Sequence, residues 1–252
     1  MPPMPLPVVL KTDTIWECVF EARFSAGNPS IADILPGMLF ERLTPLVSTT
    51  QQLPAFNIPF QFRELDDNLR YQATHALLSK ELHVGVGPRS VAVSFPKPYR
   101  GWREVKQRIL QVMEAVNSTK LAGQAERCSL KYVNVLTQGR DEFDFSQLKV
   151  QVSLDDFPLG GSVVVRAEIP LNGCQTVVEV ITGAKVQDVR PDPRVASMMG
   201  VLLAVDTIRP GPFDNFFARL PELIESVHDT EKQIYFGLLT KETLEKLGPR
   251  YE

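Results

Sequence analysis

The stretch Arg127-Cys128-Ser129-Leu130-Lys131-Tyr132-Val133-Asn134-Val135-Leu136, near the middle of the chain, sets the plan of everything around it. Tyr132, Val133 and Val135 suit a pleated, half-buried surface, and Lys131 and Asn134 are polar groups that a sheet can present. The run reads as a strand. The residues on its N-terminal side read as one strand-and-helix half, and those on its C-terminal side as a second.

In the first half the clearest strand is Ile15 to Phe24. Trp16, Cys18, Phe20, Ala22 and Phe24 share one parity, and Glu17, Glu21 and Arg23 fall on the other, the pattern of one apolar and one open face. A turn comes next at Gly27-Asn28, with Asn28-Pro29 capping a helix whose apolar positions are Ile31, Ile34, Leu35, Met38 and Leu39. Pro36-Gly37 predicts a kink in it, or two short pieces. Residues 46–59 read as a loop. Strands over 60–65, 69–79 and 82–95, turning at Asp66-Asp67-Asn68 and Ser79-Lys80-Glu81, form an antiparallel meander, with a bulge at Gly85, Gly87 and Pro88. Trp102 to Asn117 is an amphipathic helix carrying Trp102, Val105, Ile109, Val112 (or Met113) and Val116 on one stripe.

The second half adds strands over 148–154, 162–169, 176–181 and 200–208. Pro158-Leu159-Gly160-Gly161 and Asn172-Gly173 are turns, the latter a strong hairpin signal. Val186 to Ser197 leaves the sheet. Pro221 starts a long helix with the stripe Leu220, Ile224, Val227, Ile234, Tyr235 and Leu238, and Thr240 caps a last helix stopped by Gly248-Pro249. The expected fold is α+β: a curved, mainly antiparallel sheet in two related halves, 12–120 and 121–252, packed by amphipathic helices. The whole chain is expected to be one domain, with 1–11 as an extended proline-rich arm.

Cys18, Cys128 and Cys174 are far apart with no Cys-x-x-Cys spacing, as in a reducing compartment. No apolar run approaches the roughly 20 residues of a membrane span, and Met1 to Pro7 lacks the basic start of a signal peptide. A cytoplasmic protein without a membrane partner is expected. A formal net charge of −3 argues against coating nucleic acid through the overall field.

These residues carry a resemblance. Ile15-Trp16-Glu17-Cys18-Val19-Phe20-Glu21-Ala22-Arg23-Phe24, the stretch from Tyr99 to Trp102, Leu130-Lys131-Tyr132-Val133-Asn134, Val205-Asp206-Thr207-Ile208-Arg209 and the tail His228 to Leu239 succeed one another over almost the full length. In this the chain resembles a sporadically distributed, uncharacterised bacterial family of similar length. That family usually has Arg-Tyr where this chain has Lys131-Tyr132, and lysine loses the planar fork of donors. The resemblance implies a single full-length unit and a patchily inherited gene, of the kind found in defence or toxin-control loci. It carries over no catalytic residues.

Phosphate loops, dinucleotide fingerprints, nucleophile elbows and His-Glu-x-x-His helices do not occur, so no cofactor or metal is expected. His75 shares parity with Tyr71, Ala73 and Leu77 and is expected to face the core; His83 is expected on the open side and His228 to pack at the edge of the helix stripe. The polar set Glu17, Glu21, Arg23, Lys131, Asn134 and Asp206 lies in or beside strands. It fits a binding cluster, acid/base chemistry through two carboxylates, or a structural network of paired charges. From Arg89 to Arg108 six basic residues (Arg89, Lys97, Arg100, Arg103, Lys106, Arg108) face one acid, Glu104, with Tyr99 and Trp102 between them. That pattern fits a nucleic-acid patch or a solvated helix face. The apolar content of Phe213 to Leu239 predicts a protein partner or homodimer through the C-terminal helix. The three readings, in order, are a non-catalytic binding protein, a nucleic-acid-binding module, and an enzyme built on carboxylates.

Overall fold

Period-two alternation in burial holds from Cys18 to Phe24: Cys18, Phe20, Ala22 and Phe24 are buried and Val19, Glu21 and Arg23 half-exposed, whereas Trp16, expected on the apolar face, is half-exposed like Ile15 and Glu17. A computed structural model of the chain describes residues 6–25, 31–137, 139, 145–156, 159, 161–186 and 198–251. The elements run β1 (Val9–Leu10), β2 (Ile15–Phe24), α1 (Ile31–Leu43), β3 (Thr49–Gln52), α2 (Phe60–Leu65), α3 (Asp67–Arg70), β4 (His75–Leu78), β5 (His83–Val86), β6 (Ser90–Pro96) and α4 (Trp102–Thr119). They continue with β7 (Ala125–Leu136), β8 (Val164–Leu171), β9 (Cys174–Val186), β10 (Met198–Pro210), α5 (Phe216–Leu238), α6 (Lys241–Leu247) and β11 (Pro249–Arg250). The fold is α+β. A mainly antiparallel sheet of nine strands runs in the order β3-β4-β5-β6-β2-β7-β10-β9-β8, and β1 pairs with β11. The large sheet is open, with β3 and β8 at its ends. Among the described residues no helix is long and apolar enough to cross a membrane.

The chain divides into two compact units. The N-terminal unit is Glu17–Leu130 with Ile208–Val227; the C-terminal unit is Met1–Trp16, Lys131–Thr207 and His228–Glu252.

In the N-terminal unit β3, β4, β5 and β6 form the antiparallel meander, and β6 pairs with β2 from Glu17↔Pro96 to Arg23↔Ser90. Helix α1 packs against α4, β4 and β5. Leu35, Leu39 and Leu43 recur every four residues, so α1 buries one stripe, and α4 buries Val105, Ile109, Val112, Met113 and Val116. The first part of α5 buries Phe216, Leu220, Leu223, Ile224 and Val227. The Phe216 ring meets Phe24 edge-on with centroids 6.2 Å apart.

In the C-terminal unit β8 and β9 are a hairpin closing at Leu171↔Cys174. Its two turn residues, Asn172 and Gly173, have φ of 52° and 71°, the pair of positive angles that matches strand twist and selects Asn-Gly. Leu136, Val178, Val180, Val201, Leu203 and Val205 form a core with Ile234, Tyr235 and Leu239. The Thr240 hydroxyl accepts the Thr243 N–H, capping α6, and Gly248 at φ 66° ends it. Residues 11 and 12 are tied to this end: Lys11 N–H and Thr12 N–H donate to the carbonyls of Gly248 and Leu247, both at 3.0 Å.

Several sequence expectations are corrected. Residues 60–65 are helix, because six residues of apolar-polar alternation suit a strand or a short helix end equally and Pro59 precedes them as a helix start. Residues 69–79 hold α3 and then β4, and 82–95 are two strands whose Gly87-Pro88-Arg89 link is a turn, closed by Gly87 N–H donating to Ser90 at 2.9 Å. The expected loop 46–59 contains β3 and a 3₁₀ turn, Pro54–Asn57. Residues 148–154 form no named strand; Leu148 makes a single bridge to Leu239. Pro36 lies inside an unbroken α1, and α5 begins at Phe216 with Pro221 inside it. Proline removes one hydrogen bond, and buried neighbours on both sides hold each helix through that loss: Leu35 and Leu39 in α1, Leu220 and Leu223 in α5. The Asn28-Pro29 cap, most of the 158–161 turn, the 187–197 excursion and Met1–Pro5 lie outside the described residues.

Replacing Gly173 by valine places a β-branched side chain at positive φ. An expected loss of about 1–2 kcal/mol in urea denaturation checks the turn; an unchanged midpoint contradicts it.

Candidate functional site

The six polar residues named from sequence fall three in each unit. In the N-terminal unit Glu17 accepts a hydrogen bond from the Ser94 hydroxyl. Glu21 accepts from Arg23 Nε at 2.5 Å and from Arg127 Nη2 at 3.4 Å. The Arg23 guanidinium also lies 4.4 Å from the centre of the Tyr71 ring. These carboxylates are therefore engaged by donors on their own strand and on its neighbours, and Glu21 is balanced by two cations.

In the C-terminal unit Asn134 is buried and joins a second arrangement. Its Oδ1 accepts the Thr14 hydroxyl at 2.9 Å, and the Thr14 oxygen lies 2.8 Å from the Tyr235 hydroxyl. Thr14 has one proton to give; spent on Asn134, it leaves the threonine oxygen to accept from tyrosine. The chain of donation is thus Tyr235 to Thr14 to Asn134. Asn134 Nδ2 continues it to the Leu203 carbonyl at 3.5 Å. Asp206 is half-buried, with its Oδ1 sealed and unpartnered among the described residues, and Lys131 is half-buried.

Two further groups in this unit lie on the buried face of α5. Glu231, 4% exposed, is pushed up to about 8 by burial, against the smaller pull of Lys232. Tyr235, one turn on, is held above its ordinary value first by burial, with the charges of Glu231 and Asp13 adding to the shift and the Thr14 hydrogen bond opposing it. His228 Nδ1 lies 3.4 Å from the Tyr132 hydroxyl and is buried, as the sequence leads one to expect of a packing histidine. Asn172 Nδ2, in the hairpin turn, reaches Thr230 at 3.2 Å and Gln233 at 3.3 Å and so ties the turn to α5.

Sequence reasoning missed Glu231. The signal was present: the apolar stripe runs Leu220, Ile224, Val227 and then Ile234, and the skipped turn is filled by Thr230 and Glu231, both buried. A gap in a helical stripe marks a polar group carried into the core.

The basic stretch is largely paired. Arg89 engages Glu64, Arg100 engages Glu81 at 2.9 Å and Lys106 engages Glu225, to which Trp102 Nε1 also donates at 3.0 Å. Arg108 bonds Gln111 at 3.2 Å, within the same helix. His75 and His83, both half-buried, stand at opposite ends of the β4–β5 ladder, with the Phe56 ring edge-on to His75. His75 thus stops short of the core position expected for it.

Of the apolar residues from which a C-terminal-helix interface is expected, Phe213, Phe216 and Tyr235 are all under a tenth exposed, and Phe217 and Phe236 are half-exposed. Large exposed apolar side chains stand elsewhere in the N-terminal unit, at Phe56, Phe60, Phe62 and Leu65. On the same short helix Arg63 is 9% exposed, and its Nε and Nη1 have no partner among the described residues. No protein-family model and no curated protein matches the chain.

Glu231 makes stability depend on pH. Its folded pKa lies above its unfolded one, so between about 4.5 and about 8 the folded chain holds a proton that the unfolded chain has released. Stability is full below that window and falls as pH rises through it, with a slope approaching ~1.4 kcal/mol per pH unit. Denaturation across pH 5 to 8 is expected to show this decline, and Glu231→Gln to flatten it. An equal slope in both proteins contradicts the assignment.

Proposed function

We propose that the protein is a non-catalytic interaction protein whose contact surface lies on the 49–65 stretch of the N-terminal unit. One observation carries this reading. The two most exposed large apolar side chains among the described residues, Leu65 at 82% and Phe62 at 63%, stand one helical turn apart on α2. Phe56 and Phe60, at 38% and 37%, belong to the same ten residues. Leaving such area in water forfeits roughly 25 cal/mol for each Å² that a partner would cover. Phenylalanine is also among the residues enriched at the cores of protein interfaces.

The acid/base alternative has less support, because Glu17 and Glu21 are held by donors and Glu21 is neutralised by two arginines. Nucleic-acid binding by the 89–108 stretch has less support for a related reason: Arg89, Arg100 and Lys106 already face carboxylates. The first would require the breaking of pairs at Glu17 and Glu21, and the second at Arg89, Arg100 and Lys106. A protein contact at Phe62 and Leu65 requires none.

A photo-reactive phenylalanine analogue at position 62, and separately at the exposed Glu222 of α5, tests the reading in cells. A discrete protein adduct from position 62 and none from position 222 is the expected result. No adduct from position 62 would overturn the proposal, and an adduct from 222 alone would move the surface to the C-terminal helix.

A further inference from the structure

Helix α2 is amphipathic in reverse. Phe62 and Leu65, one turn apart, are exposed, while the charged Arg63 and Glu64 lie on the opposite side and are covered. Glu64 is answered there by Arg89. Arg63 is not answered: it is 9% exposed, and its Nε and Nη1 are sealed without a partner among the described residues. A guanidinium does not give up its proton, so burial leaves a full positive charge uncompensated, a costly arrangement for a folded chain to keep. Glu64 does not relieve it, because side chains one residue apart on a helix do not face each other. With Nε and Nη1 sealed, Nη2 is the nitrogen at which an outside acceptor arrives first.

We infer that the partner of this surface is a protein segment carrying one aspartate or glutamate beside apolar residues, its carboxylate received by Arg63 and its apolar side chains by Phe62 and Leu65. This rests on the reading of 49–65 as a protein contact surface and gives the partner its chemistry. Three features select that occupant. A carboxylate is planar, carries one charge and takes two parallel N–H bonds from a single guanidinium, which matches one unmatched arginine. Residues 60–70 otherwise carry Glu64, Asp66 and Asp67 against Arg70, so further negative charge, as on a phosphate dianion or a nucleic acid, is repelled there. The exposed phenylalanine and leucine call for an apolar counterpart, which a free small acid lacks. Admitting the carboxylate requires α2 to shift, and over 54–65 only Ala55 and Arg63 are buried, so little packing resists that movement.

Selection of a random peptide library, displayed on phage, against the purified full chain tests the inference. The recovered peptides are expected to share one acidic residue flanked by apolar ones. For a synthetic peptide of that pattern, replacing the acid by its amide is expected to raise the dissociation constant about tenfold or more. Arg63→Met is expected to raise it by a similar factor, with no further rise when both changes are combined, which a merely structural arginine would not produce. Where Arg63→Met fails to fold, the amide peptide on the parent chain decides the matter. Peptides without a shared acid, no recovered peptide, equal affinity for acid and amide, or full affinity in Arg63→Met would each overturn the inference. So would Arg63-dependent binding of inorganic phosphate or of an oligonucleotide in place of the peptide. A position-62 adduct obtained beside any of those results leaves the contact surface standing and removes only the carboxylate, so the two readings fail separately.

Discussion

The apolar stripe of α5 is the constraint on which the rest depends. A 23-residue helix that carries Phe216, Leu220, Leu223, Ile224, Val227, Ile234 and Tyr235 on one side cannot leave that side in water. Fully burying such side chains is worth roughly 1.5–3 kcal/mol each. The helix supplies the first five to the N-terminal unit and the last two to the core of the C-terminal unit, where β9 and β10 answer with Val178, Val180, Val201, Leu203 and Val205. The sheet strands that meet it must therefore present one apolar face, and their alternation results from that demand.

The same stripe carries polar groups inward, and each must be met. Tyr235 is answered by Thr14, which in turn donates to Asn134, and His228 by Tyr132. Glu231 is answered by holding its proton instead of by a cation, which is the cheaper state for a desolvated carboxyl. Thr230 reaches the hairpin through Asn172. The pairs made by Tyr235, His228 and Thr230 favour one seating of the helix, because a slip of one residue would strand these buried polar groups at once.

Much of this was legible in the sequence. Ile15–Phe24, Trp102 onward, Asn172-Gly173, and the Thr240 and Gly248 ends of α6 were readable, because each carries a local signal that tertiary context reinforces. The 46–70 region was not. Its signals are short, and Phe60, Phe62 and Leu65 resemble strand or core residues until the fold leaves them outside. Exposure is set by what the rest of the chain covers, and no local pattern records it. The polar candidates divide along the same line. Glu21 with Arg23 was visible as strand parity, whereas the Thr14–Asn134–Tyr235 chain joins residues 120 and 221 positions apart.

Stability is unevenly spread over such a molecule: it is concentrated where α5 meets the sheet and thin over 54–65, where Ala55 and Arg63 are the buried residues. Native-state hydrogen exchange measures that distribution directly. The amides of Leu220 to Tyr235 are predicted to exchange only through global unfolding, and those of Phe60 to Leu65 through local opening at far lower free energy. Exchange of the α5 amides as fast as those of α2 would contradict the central place given to that helix.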